Sequence, residues 1–386
     1  MANIAIYGGT FNPVHIGHIN LLDRFIKALD FDKVIVIPTN IPPHKEVYIT
    51  ADADTRFEMC KSAVADKKVV VSDIELKRED KSYSYDTVLQ LKEIYPDDEF
   101  FFLMGSDMFL YLEKWYRYDD LKKCVTFCAA ARNQEDRRRL DEHALKLEKN
   151  GAKTVVIDID IIDISSAQIR EKIMFGEPYE EFLPQGVNDI IRQKNLYSFE
   201  QAVEFCKKTI RPRLDDSRYY HSLCVAESAS ELAKKYGSNY QKAYIAGLLH
   251  DITKQTNEDE QLQIIEKFGI LCEDTQKDSK ALWHAATGAA FVENVLGFSD
   301  RDFLNAIRYH TTSRKGASLL EDVVYIADFI SADRDYPDVD VMRDKAWCSL
   351  KEAKEYGLAY TITDNTNKGR RVGSNTIEAY KELMNG

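Results

Sequence analysis

Asn3-Ile-Ala-Ile-Tyr7-Gly8-Gly9-Thr10-Phe11-Asn12-Pro13-Val14-His15-Ile16-Gly17-His18 decides how the first half of the chain is read. Asn3 to Tyr7 is a short, apolar, β-prone run. Gly8 to Val14 reads as a turn, and His15 opens an amphipathic helix that runs to about Leu29. A strand, a glycine turn and a helix form the unit that holds phosphate groups against backbone N–H donors. The two imidazoles are three residues apart, so they share one face of the first helical turn. Gly17 between them leaves room for a ligand to approach the backbone. Neither the G-x-G-x-x-G dinucleotide fingerprint nor a Walker A loop is present. The plain alternative is a buried turn with two satisfied histidines. A Gly-Gly turn and paired imidazoles at one strand-to-helix junction favour the anion site instead. Phosphoryl-type transfer needs positioning and charge stabilisation more than a covalent catalyst. An acceptor that is itself a phosphate is already an anion near neutral pH, so it requires no general base.

The segments that follow extend the pattern. Lys33–Pro38 reads as a second buried strand, and Ile41-Pro-Pro-His44-Lys45 as a rigid loop carrying two basic groups. Helices are expected over 55–64 and 82–95, and strands over 69–76, 100–104, 125–130 and 154–158. Alternating strands and helices predict a doubly wound α/β domain with a parallel sheet. Ligands in such sheets bind beyond the carboxyl ends of the strands, at the topological switch point. Gly8, Pro38 and Gly105 all follow strands, so their loops are expected to converge there. In Ile164-Ser165-Ser166-Ala167-Gln168-Ile169-Arg170, Ser165 and Gln168 have capping-box spacing, so a helix should start here. Its free N–H groups, the serine hydroxyls and Arg170 would face a polyphosphate. An ordinary capped helix with a solvated arginine is the bland alternative. His143, in the charged stretch 134–150, is expected to be simply exposed.

GGTFNPVHIGH is similar to the H-x-G-H signature of the nucleotidyltransferase superfamily. Taken with PPHK, Ser82-Tyr-Ser84-Tyr-Asp-Thr87, Gly105-Ser-Asp107, Lys114-Trp115-Tyr116 and ISSAQIR, in that order, the first 197 residues resemble the nicotinate-nucleotide adenylyltransferase family. The resemblance implies ATP and nicotinate mononucleotide as substrates, with Mg²⁺, giving deamido-NAD and pyrophosphate. It implies that His15, His18, Ser166 and Arg170 bind and stabilise the ATP phosphates. Gly8, Gly9 and Thr10 would line the phosphate cradle. Phe11, His44, Lys45, Gly105, Asp107 and Ser165 would belong to the same substrate site. Ser84, Trp115 and Tyr116 would hold the pyridine carboxylate. Three positions depart from the family pattern: Ser84 for a threonine, Ala167 for a threonine, and Ser106 for an alanine. None removes a charged or imidazole group, although Ser84 leaves the choice between acid and amide mononucleotide open. A core or rim role for Trp115 is an equal alternative.

Composition bounds the rest. At 386 residues, 44% hydrophobic and 30% charged, the chain is ordinary globular material with the length of two or three domains. A net charge of −12 argues against non-specific nucleic-acid binding. No run approaches a membrane span and no basic leader precedes an apolar stretch. The seven cysteines lack a C-x-x-C pair, so reduced thiols and a cytoplasmic location are expected, with no nucleic-acid or membrane partner. Homo-oligomerisation is compatible with the sequence.

Around Ser198 the βα rhythm stops, and helices are expected over 199–209, 219–236, 239–250, 258–268, 279–296, 300–309, 319–331 and 339–356. An all-α domain over 198–386 has its own core. His221, His250-Asp251, His284, His310 and Asp328 lie on or beside these helices. A lone helical histidine is more often structural than not. Mixed imidazole and carboxylate donors suit iron, manganese or similar divalent ions. The H…HD…D order resembles the HD phosphohydrolase superfamily, and His284 and His310 match its two-metal members. Arg218-Tyr-Tyr-His-Ser222, LLHDITK, Arg308-Tyr-His-Thr-Thr312 and Ile326-Ala-Asp-Phe-Ile330 are similar to the YqeK-like group, which splits symmetrical dinucleoside tetraphosphates. The resemblance implies two iron or manganese ions. Asp251 would bridge them, His221, His250 and Asp328 would complete one centre, and His284 and His310 the other. Lys254 and Arg308 could neutralise phosphate oxygens, or lie on a solvated helix face.

The expected protein is therefore a bifunctional enzyme: an adenylyltransferase over 1–197, and a metal-dependent hydrolase acting on a dinucleoside polyphosphate such as diadenosine tetraphosphate. Other phosphate acceptors, such as phosphopantetheine, are alternatives for the first half. Another nucleotide substrate, or a nucleotide-sensing module, is an alternative for the second.

Overall fold

The computed structural model describes residues 1–40, 50–78, 81–160, 162–270 and 282–385. They divide into two compact units. The first runs through Arg170 and resumes over Pro178–Leu196. The second takes Glu171–Glu177 and everything from Tyr197 onward.

The first unit is built on a six-stranded sheet in the order β3-β2-β1-β4-β5-β6. Its strands are β1 (Asn3–Gly9), β2 (Lys33–Pro38), β3 (Val69–Val71), β4 (Glu99–Gly105), β5 (Thr126–Ala131) and β6 (Lys153–Asp158). Every pairing is parallel, with Ile6 opposite Ile35 on one side and Phe102 on the other. The central strands are continuous apolar runs because helices cover both faces. Ile4, Ile6, Ile35, Ile37, Phe100 and Phe102 share one buried cluster. The flanking helices are α1 (Ile16–Ala28), α2 (Ala53–Ala63), α3 (Ser84–Ile94), α4 (Ser106–Leu110), α5 (Tyr118–Leu121), α6 (Gln134–Lys149), α7 (Ser166–Met174) and α8 (Gln185–Gln193). The sheet order reverses between β1 and β4, so the ends of these two strands flank the switch point.

Two expectations are corrected here. The strand expected over 69–76 ends at Val71, because β3 is an edge strand with an exposed Val70, and Asp73 turns the chain by accepting from Leu76 N–H at 2.9 Å. His143 is not simply exposed: it packs edge-on against Phe109, with ring centroids 5.6 Å apart and a buried Nε2. The charged stretch around it is amphipathic, with Leu140, Ala144 and Leu147 inward.

The second unit is all-helical: α9 (Phe199–Ile210), α10 (Asp216–Tyr236), α11 (Tyr240–Leu249), α12 (Glu258–Lys267), α13 (Trp283–Asn294), α14 (Arg301–Arg308), α15 (Leu319–Ile330), α16 (Val339–Cys348), α17 (Leu350–Asn367) and α18 (Ser374–Asn385). The helix expected over 339–356 is two. Ser349 is extended (φ −153°) and caps α17 by accepting from Glu352 N–H, which breaks the run. Helices α10 and α11 cross with backbones nearly touching. A Cβ on Gly247 would lie 2.7 Å from Ala226 Cα and 2.9 Å from its N. That contact holds the middle of α10, which carries His221, against the end of α11, which leads into His250-Asp251.

Candidate functional site

In the first unit the site grows from the N-terminus of α1. His15 is its N-cap, and its backbone N–H donates to His18 Nδ1 at 3.2 Å. His18 Nδ1 is thus an acceptor, which leaves the ring proton on Nε2. The two rings lie with centroids 3.7 Å apart. Burial lowers the His15 pKa to about 4, and burial with the neighbouring His15 holds His18 well below the usual imidazole value. Both rings are therefore neutral donors near pH 7, at a helix end whose free N–H groups attract anions.

Phe11 is buried, lying edge-on between Tyr7 and His18 with centroids at 5.4 and 5.1 Å. It supports the imidazole and offers a ligand only its main chain. A Cβ on Gly9 would come within 3.0 Å of the Phe11 ring, and one on Gly17 within 3.0 Å of the His15 ring, so both glycines are steric requirements. Gly8 has no such conflict. Thr10 is held through its carbonyl, which accepts from Arg56 Nη1 at 2.8 Å.

Helix α7 meets the same turn. Ser166 Oγ donates to Pro13 O at 2.9 Å and Arg170 Nη1 to Asn12 O at 2.7 Å. Ser165 and Gln168 make the expected reciprocal cap, at 2.8 and 3.2 Å. Ser165 thus caps its own helix, and Ser166 ties α7 to the glycine turn.

At the end of β4, Gly105 precedes α4, and Asp107 pairs with Arg132 at 3.1 Å. Ser84 begins α3. Trp115 lies edge-on to Phe102 at 5.5 Å, and its Nε1 is buried without a hydrogen bond. Tyr116 is half exposed, and its ring lies tilted against that of Tyr83 with centroids 4.4 Å apart. His44 and Lys45 lie outside the described residues. Arg56 was not singled out by sequence reasoning. It is buried and donates to carbonyls of Thr10, Thr39, Asn40 and Ala51, at 2.6–3.2 Å, tying together the loops after β1 and β2. One arginine on a helix carries no sequence signal of burial.

In the second unit His221, His250, Asp251, His284, His310 and Asp328 converge. Their donor atoms form three overlapping groups, His221/His250/Asp251, His250/His310/Asp328 and Asp251/His284/His310, with the atoms of each group within 4.8 Å of one another. His250 Nδ1 faces Gly247 O and His310 Nδ1 faces Ile307 O, each at 2.7 Å, while His221 Nδ1 faces Asp333 Oδ2 at 2.8 Å. In each case the acceptor fixes the proton on Nδ1 and turns the Nε2 lone pair inward. Asp251 Oδ1 lies 3.1 Å from His284 Nε2 and 3.5 Å from His310 Nε2. Yet Asp251 Oδ1 and His250 Nε2 are buried with no hydrogen bond of their own. Lone pairs that converge without satisfying one another fit a divalent cation, since buried polar atoms otherwise find partners.

Burial pushes the Asp251 carboxyl up, but His250, His284 and His310 outweigh it and hold the group well below the usual carboxylate range. Asp328 is likewise held ionised against its burial, by His221 and Arg334. Burial lowers the His284 pKa to about 4. Among the described residues, three cations stand around the cluster. Arg218 Nη1 is 2.9 Å from Asp251 Oδ2, Lys254 Nζ is 3.2 Å from His284 Nε2, and Arg334 hydrogen-bonds the Asp328 carboxylate. Arg308 stacks on Tyr309, 5.8 Å from the ring centroid. Sequence reasoning missed Arg218 as a partner of Asp251, and missed Asp333 and Arg334 altogether. Arg218 stands three residues before His221, the one local signal available.

Residues 6–172 match the cytidylyltransferase-like family and residues 218–333 the HD domain. A Shouchella clausii protein, "probable nicotinate-nucleotide adenylyltransferase", is 38% identical over 199 residues, which are 51% of this chain and 97% of that relative. A Mycoplasma genitalium protein, "probable nicotinate-nucleotide adenylyltransferase/Ap4A hydrolase", is 28% identical over 364 residues, 92% of this chain and 97% of that one. The solved structure of a Clostridium acetobutylicum protein, described as a "predicted HD superfamily hydrolase involved in NAD metabolism", is 35% identical, covers 47% of this chain and 97% of its own, and has a TM-score of 0.46. Among the described residues no helix is long and apolar enough to cross a membrane.

Proposed function

Since the chain belongs to the nicotinate-nucleotide adenylyltransferase family and carries an HD domain, we propose that it is a bifunctional enzyme of pyridine-nucleotide metabolism. In this reading the first unit transfers AMP from MgATP to nicotinate mononucleotide. The second hydrolyses a symmetrical dinucleoside tetraphosphate, diadenosine tetraphosphate, to two ADP. The location is cytoplasmic.

The neutral imidazole pair at the N-terminus of α1 is the observation that carries the first assignment. The acceptor's phosphate oxygen attacks the α-phosphorus of ATP. The bond from that phosphorus to the bridging oxygen breaks, and pyrophosphate leaves. Charge accumulates on the phosphate oxygens as this happens. His15 and His18 donate hydrogen bonds to those oxygens without needing to change protonation. The helix end and Arg170 add positive potential. Thr10 and the glycine turn shape the floor. Ser84, the Trp115 N–H and Tyr116 would receive the nicotinate group, with the otherwise unused indole donor directed to its carboxylate.

The converging six-residue donor set carries the second assignment. His221, His250, Asp251, His284, His310 and Asp328 would hold two divalent ions, iron or manganese. Bound there, such ions supply Lewis-acid charge and lower the pKa of a coordinated water. Arg218, Lys254 and Arg334 stand around the cluster to receive phosphate oxygens. Asp251 and Asp328 stay ionised, so they are ready as ligands without losing a proton.

Purified full-length chain given MgATP and nicotinate mononucleotide should form deamido-NAD and pyrophosphate. The same protein loaded with manganese should convert diadenosine tetraphosphate to ADP alone. AMP with ATP as products would show an asymmetric cut. No product with intact metal loading would redirect the second unit to another nucleotide or to sensing.

A further inference from the structure

Phe11 stands at a kink. Its φ of +47° is in the left-handed region, which a bulky side chain rarely adopts. The kink lies in the turn between β1 and α1, and it sets the Phe11 ring edge-on to His18 with centroids 5.1 Å apart. The ring also packs closely on Gly9, where an added Cβ would lie 3.0 Å from it. A conformation of this kind persists where the surrounding bonds over-determine it.

Such bonds grip the turn on both sides of Phe11. Before it, the Thr10 carbonyl accepts from Arg56 Nη1 at 2.8 Å. After it, the Asn12 side-chain oxygen accepts from Ala51 N–H at 3.0 Å, and the Ala51 carbonyl accepts from Arg56 Nε at 3.2 Å. Thr10, Arg56, Ala51 and Asn12 thus close a ring around Phe11. Arg56 Nη1 also donates to Thr39 O at 2.6 Å, and Thr39 N–H donates to Gly9 O at 2.9 Å, which ties the same turn to the end of β2. Arg56 and Asn12 are both buried. The main-chain oxygen of Asn12 is the one that accepts from Arg170 Nη1 at 2.7 Å. A guanidinium suits this task, because its donors form a rigid fork that holds several acceptors in a fixed geometry.

Resting on the adenylyl-transfer reading of the first unit, we infer that Arg56 is a positioning residue for that reaction. It holds the kink at Phe11, and through the kink it sets His18 and Arg170 relative to each other. Its bonds go to main-chain carbonyls, so its effect passes through the imidazole and the guanidinium that receive the phosphates. Donors aimed at developing charge lose much of their value when displaced by a fraction of their length. Such a displacement weakens the transition state more than the ground state, so the loss falls on kcat.

Arg56→Lys keeps the charge but cannot hold the carbonyls of Thr10, Thr39, Asn40 and Ala51 in that geometry. The full-length chain is assayed with MgATP and nicotinate mononucleotide, below the melting transition of every variant. Arg56→Lys should lower kcat by about 10- to 100-fold and leave the KM for ATP within about twofold. Asn12→Ala frees the kink from the Ala51 side and leaves the guanidinium in place. It should lower kcat in the same way, and it decides by itself where Arg56→Lys does not fold. The double variant should lose hardly more than the worse single one, because both act on one turn. A purely structural role would lower the melting temperature and leave the kcat of folded protein intact. Full kcat in either folded single variant would overturn the inference and leave the adenylyl-transfer reading standing. So would a double variant whose losses multiply. An unaltered chain that forms no deamido-NAD would overturn both.

Discussion

Arg170 Nη1 donates to the main-chain carbonyl of Asn12 at 2.7 Å, across 158 positions of sequence. That bond, with Ser166 Oγ on Pro13 O at 2.9 Å, places a guanidinium beside the glycine turn. Arg170→Ala should lower kcat/KM for adenylyl transfer by about 10²–10³-fold, the range for removing one preorganised donor from developing charge. Arg170→Lys should recover only part of the loss, because a point charge cannot hold the Asn12 carbonyl and a phosphate in one plane. Steady-state assays with varied ATP check both.

Acid should destabilise the first unit from about pH 6.5 downward, beginning above the usual carboxylate range. The His15 pKa falls from 6.5 unfolded to about 4 folded, so between those values the unfolded chain binds the extra proton and stability drops as pH falls. The effect is absent above pH 6.5. It reaches about 3 kcal/mol from this residue once the pH has fallen to its folded value. Thermal melts from pH 7 to pH 4 should show the decline, and His15→Gln should reduce it while the buried His18 keeps the remainder.

Trp115→Phe removes the indole N–H, which is buried without a hydrogen bond, and keeps a ring against Phe102. The expected change is a rise of about tenfold in KM for nicotinate mononucleotide, the equivalent of one hydrogen bond. The KM for ATP should stay the same. An unchanged mononucleotide KM would make Trp115 a packing residue.

Gly247→Ala forces a methyl to within 2.7 Å of the Ala226 backbone, where no flexible side chain can yield. Helices α10 and α11 must separate. Overpacking of this kind costs about 1–3 kcal/mol. The same shift moves His221 away from His250, so bound metal per chain should fall together with the melting temperature.

Asp251→Ala leaves Arg218 without its carboxylate and removes a residue shared by two of the three donor groups. Metal content and hydrolysis of diadenosine tetraphosphate should both fall to background. Adenylyl transfer, carried by the other compact unit, should remain. Metal analysis beside the two activity assays distinguishes this from general misfolding.

Sequence reading placed β2 at its observed bounds and set the start of α1 at the observed N-cap, because a β-branched apolar run and a Gly-Gly turn state their local conformation directly. That His221, His250, Asp251, His284, His310 and Asp328 come together was also legible, through the resemblance of their H…HD…H…H…D order to a known superfamily. The break at Ser349 was hidden, since a serine with helix formers on both sides can continue a helix or cap the next one. Arg56, Arg218, Asp333 and Arg334 were hidden for a related reason. Each is a charged residue in a polar or amphipathic stretch, and its local surroundings are those of a solvated side chain. Only tertiary structure decided that Arg56 faces carbonyls from the two connections after β1 and β2, and that Asp333 lies behind His221, 112 positions away. Local chemistry is written in neighbouring residues. The partner that a charge finds depends on which distant segments the two cores bring within hydrogen-bond reach.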